Sequence, residues 1–300
     1  MKRWIAFALL ACALFLIAAE IALRRIGLGD PPIAVRDAEL EYRLVPNARY
    51  ERWGNRIDIN RHGFRAPDHS TGVPDGETRL LLIGDSVVYG NHFLDQEETI
   101  ALRLSAALSL PDCTVRVIPM AVSSWGPVNQ AAALARHGTF GATEIAIVLS
   151  AHDLVDTPTY NGALIPYRLS KPKGAIGDAV EAILERRFPA APKETAEPFE
   201  TRAKASLNAL NSIRERALAE NANLTVIYHP TTDERISGMS DQGRRLVDWA
   251  RQQGIGVLDL GATPDITYRD NIHPDAAGAA GIANALADEY RSKLVCDTKG

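Results

Sequence analysis

Short stretches that are predominantly apolar alternate along this chain with longer ones in which apolar residues recur every three or four positions. The first kind occurs at residues 80–83, 115–118, 145–149, 224–228 and 257–260, and the second at 99–108, 128–135, 202–220, 242–252 and 275–293. A strand with apolar side chains on both faces has to be buried on both, which happens in a parallel sheet covered by helices. Right-handed crossovers then give a doubly wound, three-layer α/β/α domain over residues 79–295, with five parallel strands. One segment breaks the alternation. Residues 157–201 are too long for a strand-to-helix connection and rich in proline and lysine, so they read as an insertion at the carboxyl edge of the sheet. Within it, Ala175–Arg187 has the spacing of a short amphipathic helix. The insertion is either a wall of a substrate site or a surface decoration.

The N-terminal part follows neither pattern. Residues 4–23 form a twenty-residue apolar run with a single charge, Glu20, about the length that spans a bilayer. A cleaved signal peptide has a shorter apolar region and a small-residue cleavage site. Leu9-Leu10-Ala11-Cys12 resembles a lipoprotein box, but too little apolar sequence precedes Cys12 and too much follows it. Residues 1–27 therefore read as an uncleaved membrane anchor. Lys2 and Arg3 on one flank nearly balance Arg24 and Arg25 on the other; the terminal amine and Asp30 tip the bias toward a cytoplasmic N-terminus, with the rest of the chain in the periplasm or at the cell surface. After a turn-rich break at Gly27-Leu28-Gly29-Asp30-Pro31-Pro32, residues 28–78 show little periodicity beyond strand-like pieces such as 56–59. They read as an irregular extension packed on the main domain, or as a stalk.

Composition narrows the function classes. The chain has 300 residues, 46% hydrophobic and 23% charged, with a formal net charge of -4. With no basic stripe, it offers no footprint for nucleic acid. Of the three cysteines, Cys12 lies in the apolar run, so Cys113 and Cys296 allow at most one disulfide in the folded domain. There is no Cys-x-x-Cys, no Cys/His spacing suited to a metal, no Gly-x-Gly-x-x-Gly and no Walker loop, so neither a metal nor a cofactor is expected. A Gly-x-Ser-x-Gly elbow is also missing.

Candidate chemistry sits at two strand-to-helix junctions. Gly84-Asp85-Ser86 follows the first strand, at the sheet edge where such folds bind ligands. Backbone amides in a helical turn there can face an oxyanion formed by attack of Ser86. The tripeptide alone is equally turn chemistry, with Asp85 or Ser86 capping a helix. A serine nucleophile needs a base and a group to orient that base. Near the other end, Asp270-Asn271-Ile272-His273-Pro274 places an aspartate and a histidine three apart on a turn into the last helix. His229, after the fourth strand, lies at the same sheet edge.

Together, Gly84-Asp85-Ser86 and Asp270-Asn271-Ile272-His273-Pro274 resemble the motif blocks of the GDSL, or SGNH, hydrolases, over about residues 79–295. The resemblance implies a flavodoxin-like fold, Ser86 as nucleophile, His273 as base and Asp270 as its partner. It also implies an oxyanion hole shared by the Ser86 amide, a glycine and an asparagine. Gly126 is expected as the glycine, although a turn before Pro127 explains it equally. In the asparagine's place the chain reads Ser150-Ala151-His152-Asp153, so His152 would donate the N–H or play a structural part. Asp85, Asp153 and His229 are expected to line the substrate site. The activity implied is hydrolysis of an acyl ester, an acetyl group above all, by an esterase acting on a cell-envelope carbohydrate. The rival readings are an O-acyltransferase on exported polysaccharide and a weakened domain that binds glycan or partner proteins of an envelope polysaccharide pathway.

Overall fold

The computed structural model describes residues 2–160, 165–187 and 197–294. Parts of the insertion, at 161–164 and 188–196, lie outside the described residues, as do Val295 at the expected domain end and Cys296. The N-terminal helix α1 (Lys2–Arg25) is followed by two antiparallel hairpins, β1 (Ala34–Asp37) with β2 (Glu41–Leu44) and β3 (Ala48–Arg52) with β4 (Asn55–Ile59). The main domain then runs β5 (Glu77–Gly84), α2 (Ser86–Tyr89), α3 (Ile100–Leu108), β6 (Thr114–Ala121), α4 (Pro127–His137) and β7 (Glu144–Leu149). It continues with α5 (Ala175–Arg187), α6 (Phe199–Ala219), β8 (Asn223–Tyr228), α7 (Thr232–Ser237), α8 (Asp241–Gln252), β9 (Gly256–Asp259) and α9 (Ala276–Tyr290).

The five strands β5 to β9 form a wholly parallel sheet in the order β6-β5-β7-β8-β9, the flavodoxin-like 2-1-3-4-5 arrangement. Helix α3 packs with α9, and α4 with α6, so the sheet is a covered middle layer. All six residues of β7 and the last six of β5 are buried, which is why their apolar runs show no alternation. Strand β5 begins three residues before its apolar run, because Glu77, Thr78 and Arg79 pair with Thr114, Val115 and Arg116. Hydrophobicity does not mark them: Glu77 is held between Arg79 and Arg116 at 2.7 and 2.8 Å.

The extension after α1 is folded. Trp53 and Gly54, at φ 54° and 80°, make the two-residue left-handed turn that joins β3 to β4. Buried Tyr42, Leu44, Tyr50, Ile57 and Ile59 belong to the same core cluster as the sheet residues. Beyond the hairpins, Arg65 is 2% exposed and pairs with no carboxylate among the described residues. Its guanidinium donates to the carbonyls of Tyr89, Asn91, Leu94 and Arg56 and to Gln96 Oε1, at 3.2, 2.5, 2.7, 2.8 and 3.1 Å. One side chain of the extension thereby fixes the loop that follows Ser86.

A second junction is built from histidines. His62 stacks on His69 with ring centroids 5.1 Å apart and meets His137 edge-on at 5.7 Å. Phe140 closes the group against His69 at 4.7 Å. Burial, helped by the neighbouring charges of His62 and arginines, pushes His69 and His137 down to about 4.

Two outcomes follow from these contacts. Replacing Arg65 strands several buried carbonyls, at about 1–3 kcal/mol for each group left unpaired. Arg65→Met is expected to lower the thermal midpoint by on the order of 5–10 °C, and calorimetry showing no change would remove the guanidinium from its bracing role. The histidines are neutral when folded and titrate near 6.5 when unfolded. Their contribution to stability is therefore whole above pH 6.5 and is lost as pH falls from 6.5 toward 4. Thermal midpoints measured across that window should drop less steeply in His69→Phe than in the parent, and equal slopes would contradict the assignment.

Candidate active site

The serine's position follows from the turn that carries it. Strand β5 ends at Gly84, where a Cβ would come within 2.5 Å of Val88 Cγ2, so only glycine lets the chain turn this tightly. Asp85 caps the next turn, its Oδ1 accepting from the Val87 amide at 2.9 Å. Gly90, at φ 76°, ends α2 after four residues. Ser86 is thus the first residue of a helical turn at the carboxyl end of a central strand.

The base arrives from the far side of the sheet. His273 Nε2 lies 2.8 Å from Ser86 Oγ. His273 Nδ1 lies 2.8 and 3.0 Å from the two oxygens of Asp270. Asp270 also accepts from the backbone amides of Ile272 at 3.0 Å and His273 at 2.8 Å, so one carboxylate sets both the turn and the ring. Burial works to raise the Asp270 carboxyl, but those amides and the imidazole outweigh it and hold it below the usual carboxylate range. Behind the turn, His229 Nε2 lies 2.8 Å from the Ile272 carbonyl, and Asp275 caps α9 through the Gly278 amide at 2.8 Å. Ser86, His273 and Asp270 form a continuous hydrogen-bonded line with the geometry of a nucleophile, its base and the base's orienting acid.

The opposite wall departs from the expected lining at Gly126, Asp153 and His229. Ser86 and His273 open on a solvent-facing pocket of about 380 Å³, whose other walls are Asp85 (as expected), Asn91, Ser123, Ser124, His152 and Asp156, with Pro166 and Ile272 as its apolar members. Gly126 is not among them. Its amide donates to Asn129 Oδ1 at 3.2 Å inside the first turn of α4. The physical need for glycine there is close packing, since a Cβ would lie 2.0 Å from the Asp156 carbonyl oxygen. Two residues of this loop face the pocket, Ser123 and Ser124; Ser124 is in the left-handed region at φ 59°, and its amide has no protein acceptor among the described residues. A serine in a conformation that favours glycine carries no mark in the sequence.

His152 is at the pocket wall as expected, with Nε2 3.1 Å from Asp85 Oδ2. Burial disfavours its charge, but Asp153, Asp85 and Asp156 outweigh burial and raise its pKa. Some 41% of the side chain is in contact with solvent, so water screens part of that effect and the direction alone is used below. Burial acts to raise the Asp85 carboxyl, yet His152 and the Val87 amide bring it below the usual range. Asp153 and His229, expected at the pocket wall, are 1% and 0% exposed and stand behind it. Asp153 Oδ2 caps the turn after β7 through the Ser150 amide at 2.7 Å, and burial pushes its carboxyl up to about 8. Asp85, His152 and Asp153 bring potential metal-ligand atoms within 4.8 Å of one another. Asp85 and His152 are already each other's hydrogen-bond partners, the arrangement of an ion pair.

The extension braces this wall as well. The Tyr42 hydroxyl donates to the Ser123 carbonyl. Trp125 Nε1 donates to the Tyr42 carbonyl at 3.2 Å, and Asn129 Nδ2 donates to the Leu40 carbonyl at 3.0 Å. Ser123 Oγ in turn bonds the Asn91 side chain, on the loop that Arg65 holds.

No protein-family model and no curated protein matches the chain. Solved structures do. TesA aligns at 16% identity over 72% of this chain and 100% of its own, with a TM-score of 0.48. The psychrotrophic esterase EstA from Pseudoalteromonas sp. aligns at 14% identity over 72% and 98%, with a TM-score of 0.46. A carbohydrate acetylesterase family member from Sinorhizobium meliloti aligns at 18% identity over 72% and 99%, with a TM-score of 0.39. By its own strand order and the placement of its two motif blocks, the chain has the α/β architecture expected of an SGNH-type domain.

Proposed function

We propose that this protein is a membrane-tethered serine esterase of the GDSL type that removes a short acyl group, acetyl above all, from a hydroxyl-rich substrate such as an envelope carbohydrate. The observation that carries the reading is the unbroken line Asp270–His273–Ser86 at the mouth of a pocket. His273 takes the Ser86 proton as the oxygen attacks the ester carbonyl, then returns it to the departing alcohol. Water repeats the sequence on the acyl-enzyme. Asp270 holds the imidazole in the tautomer that leaves Nε2 facing Ser86. The oxyanion is received by the amides of Ser86 and Ser124 and by an N–H of His152, whose charged form is favoured by Asp153, Asp85 and Asp156.

The pocket supports the substrate class. Among the described residues its apolar lining is Pro166 and Ile272, while Asn91, Ser123, Ser124 and Asp156 offer polar groups to hydroxyls, which supports a short acyl group on a hydroxyl-rich partner. Two features support an anchored domain outside the cytoplasm. Helix α1 is long and apolar enough to cross a membrane, with a mean hydropathy of 2.5, and its Glu20 bonds the body of the protein, which favours a retained anchor over a cleaved signal. Cys113 is disulfide-bonded, as suits an oxidising compartment.

Acetate release from an acetylated oligosaccharide tests the reading. Ser86→Ala is expected to lower kcat/KM by about 10⁴-fold or more. Full activity in that variant, or faster turnover of an octanoyl than an acetyl ester, would overturn the nucleophile or the short-acyl assignment respectively. For the oxyanion wall, His152→Ala should reduce kcat by about 10²-fold with little change in KM. His152→Asn, which keeps a donor, should stay within about tenfold of the parent. Equal kcat in all three proteins would place His152 outside the reaction.

A further inference from the structure

We propose that helix α5 is a second membrane contact: its apolar face, formed by Val180, Ile183 and Leu184, lies in the headgroup boundary of the bilayer that α1 crosses, and Glu20 of α1 fixes it there. The proposal rests on the reading of α1 as a retained anchor and adds how the enzyme domain sits on the membrane.

The two helices are joined at one point. The Glu20 carboxylate accepts from the amides of Ala175 and Ile176, both at 2.9 Å, and so caps the N-terminus of α5. Arg24, one turn further along α1, pairs with the same carboxylate at 2.7 Å. A carboxylate within hydrocarbon is costly. One satisfied by an arginine and a helix N-terminus, next to the Arg24-Arg25 end of an apolar run, marks the level where lipid gives way to headgroups. Helix α5 therefore starts at that level.

Its first turns are tied to the domain as well. Asp178, fully buried, accepts from the Gly29 amide at 2.9 Å and pairs with Arg52 and Arg168. Gly29 approaches Ala175 so closely that a Cβ would lie 2.9 Å from its nitrogen. Past Ala179 the helix leaves this support, yet its residues do not become polar. Val180, Ile183 and Leu184 are 49%, 66% and 50% exposed at i, i+3 and i+4, one face of a helix. The other face carries Glu181, which pairs with Arg168. An amphipathic helix held beside a membrane-spanning one is the geometry of an interfacial helix. Lipid is the occupant that the junction already supplies, because α1 itself is wholly unburied by protein along its apolar window.

The test uses the full chain in lipid nanodiscs, with Ile183→Cys on a Cys12→Ser background and an environment-sensitive fluorophore, read against the same background without Ile183→Cys. Lipids spin-labelled near the headgroup are expected to reduce the emission about twofold or more, while aqueous iodide has little effect. Quenching by iodide but not by lipid overturns the proposal. Shielding from both also overturns it, because a second copy or another protein would then cover the face. In Glu20→Leu, the label should lose lipid quenching and gain iodide quenching with incorporation unchanged; persistent lipid quenching would remove Glu20 from the role of fixing α5. Failure of the parent to enter nanodiscs would instead defeat the anchor reading, and the proposal with it.

Discussion

A 2.8 Å hydrogen bond between His273 Nε2 and Ser86 Oγ joins residues 187 positions apart, and much of the architecture serves to make that distance short. The sheet order puts β5 beside β7 and within reach of the connection that leads from β9 into α9. The two ends of the bond are then set by local chemistry: the capped four-residue turn at Ser86 and the Asp270 turn at His273. Neither end is stiff alone. Each is a short loop, and a loop holds a reactive atom to a few tenths of an ångström only when other groups fix its backbone.

Those other groups come largely from the N-terminal extension. Arg65 gathers the carbonyls of the loop after Ser86, and Tyr42 with Leu40 receives and supplies the bonds that set the loop carrying Ser124. The two loops meet where Ser123 bonds Asn91. The extension is the outer support of the site, built from donors matched to carbonyls. Such contacts leave no periodic trace in a sequence, so residues 28–78 look irregular although they are held in place.

What was legible and what was not divide along the same physical line. Strands β5 to β8 show as apolar runs because most of their length is buried on both faces, while the edge strand β9 is only partly buried; Ser86, Asp270 and His273 show because of their spacing relative to strand and helix ends. Glu77 to Arg79 were lost because a buried ion-paired cluster looks like surface. Ser124 carries no mark because backbone conformation, rather than side-chain type, sets it at the pocket wall, and Gly126 answers a packing requirement against Asp156. Asp153 and His229 were placed at the correct sheet edge but one layer too far forward, since periodicity gives a residue's height in the sheet and says nothing of what covers it. His152 stands at the pocket wall within 3.1 Å of Asp85, a contact between two side chains that the motif alone does not reveal.

The central claim is that Ser86 becomes acylated. The direct measurement is mass spectrometry of peptides from the protein quenched within the first turnovers of an activated acetyl ester. The account predicts one added acetyl group on the peptide containing Ser86, accumulating in the parent and missing from His273→Ala. Steady turnover without that adduct, or an adduct confined to another peptide, would contradict it.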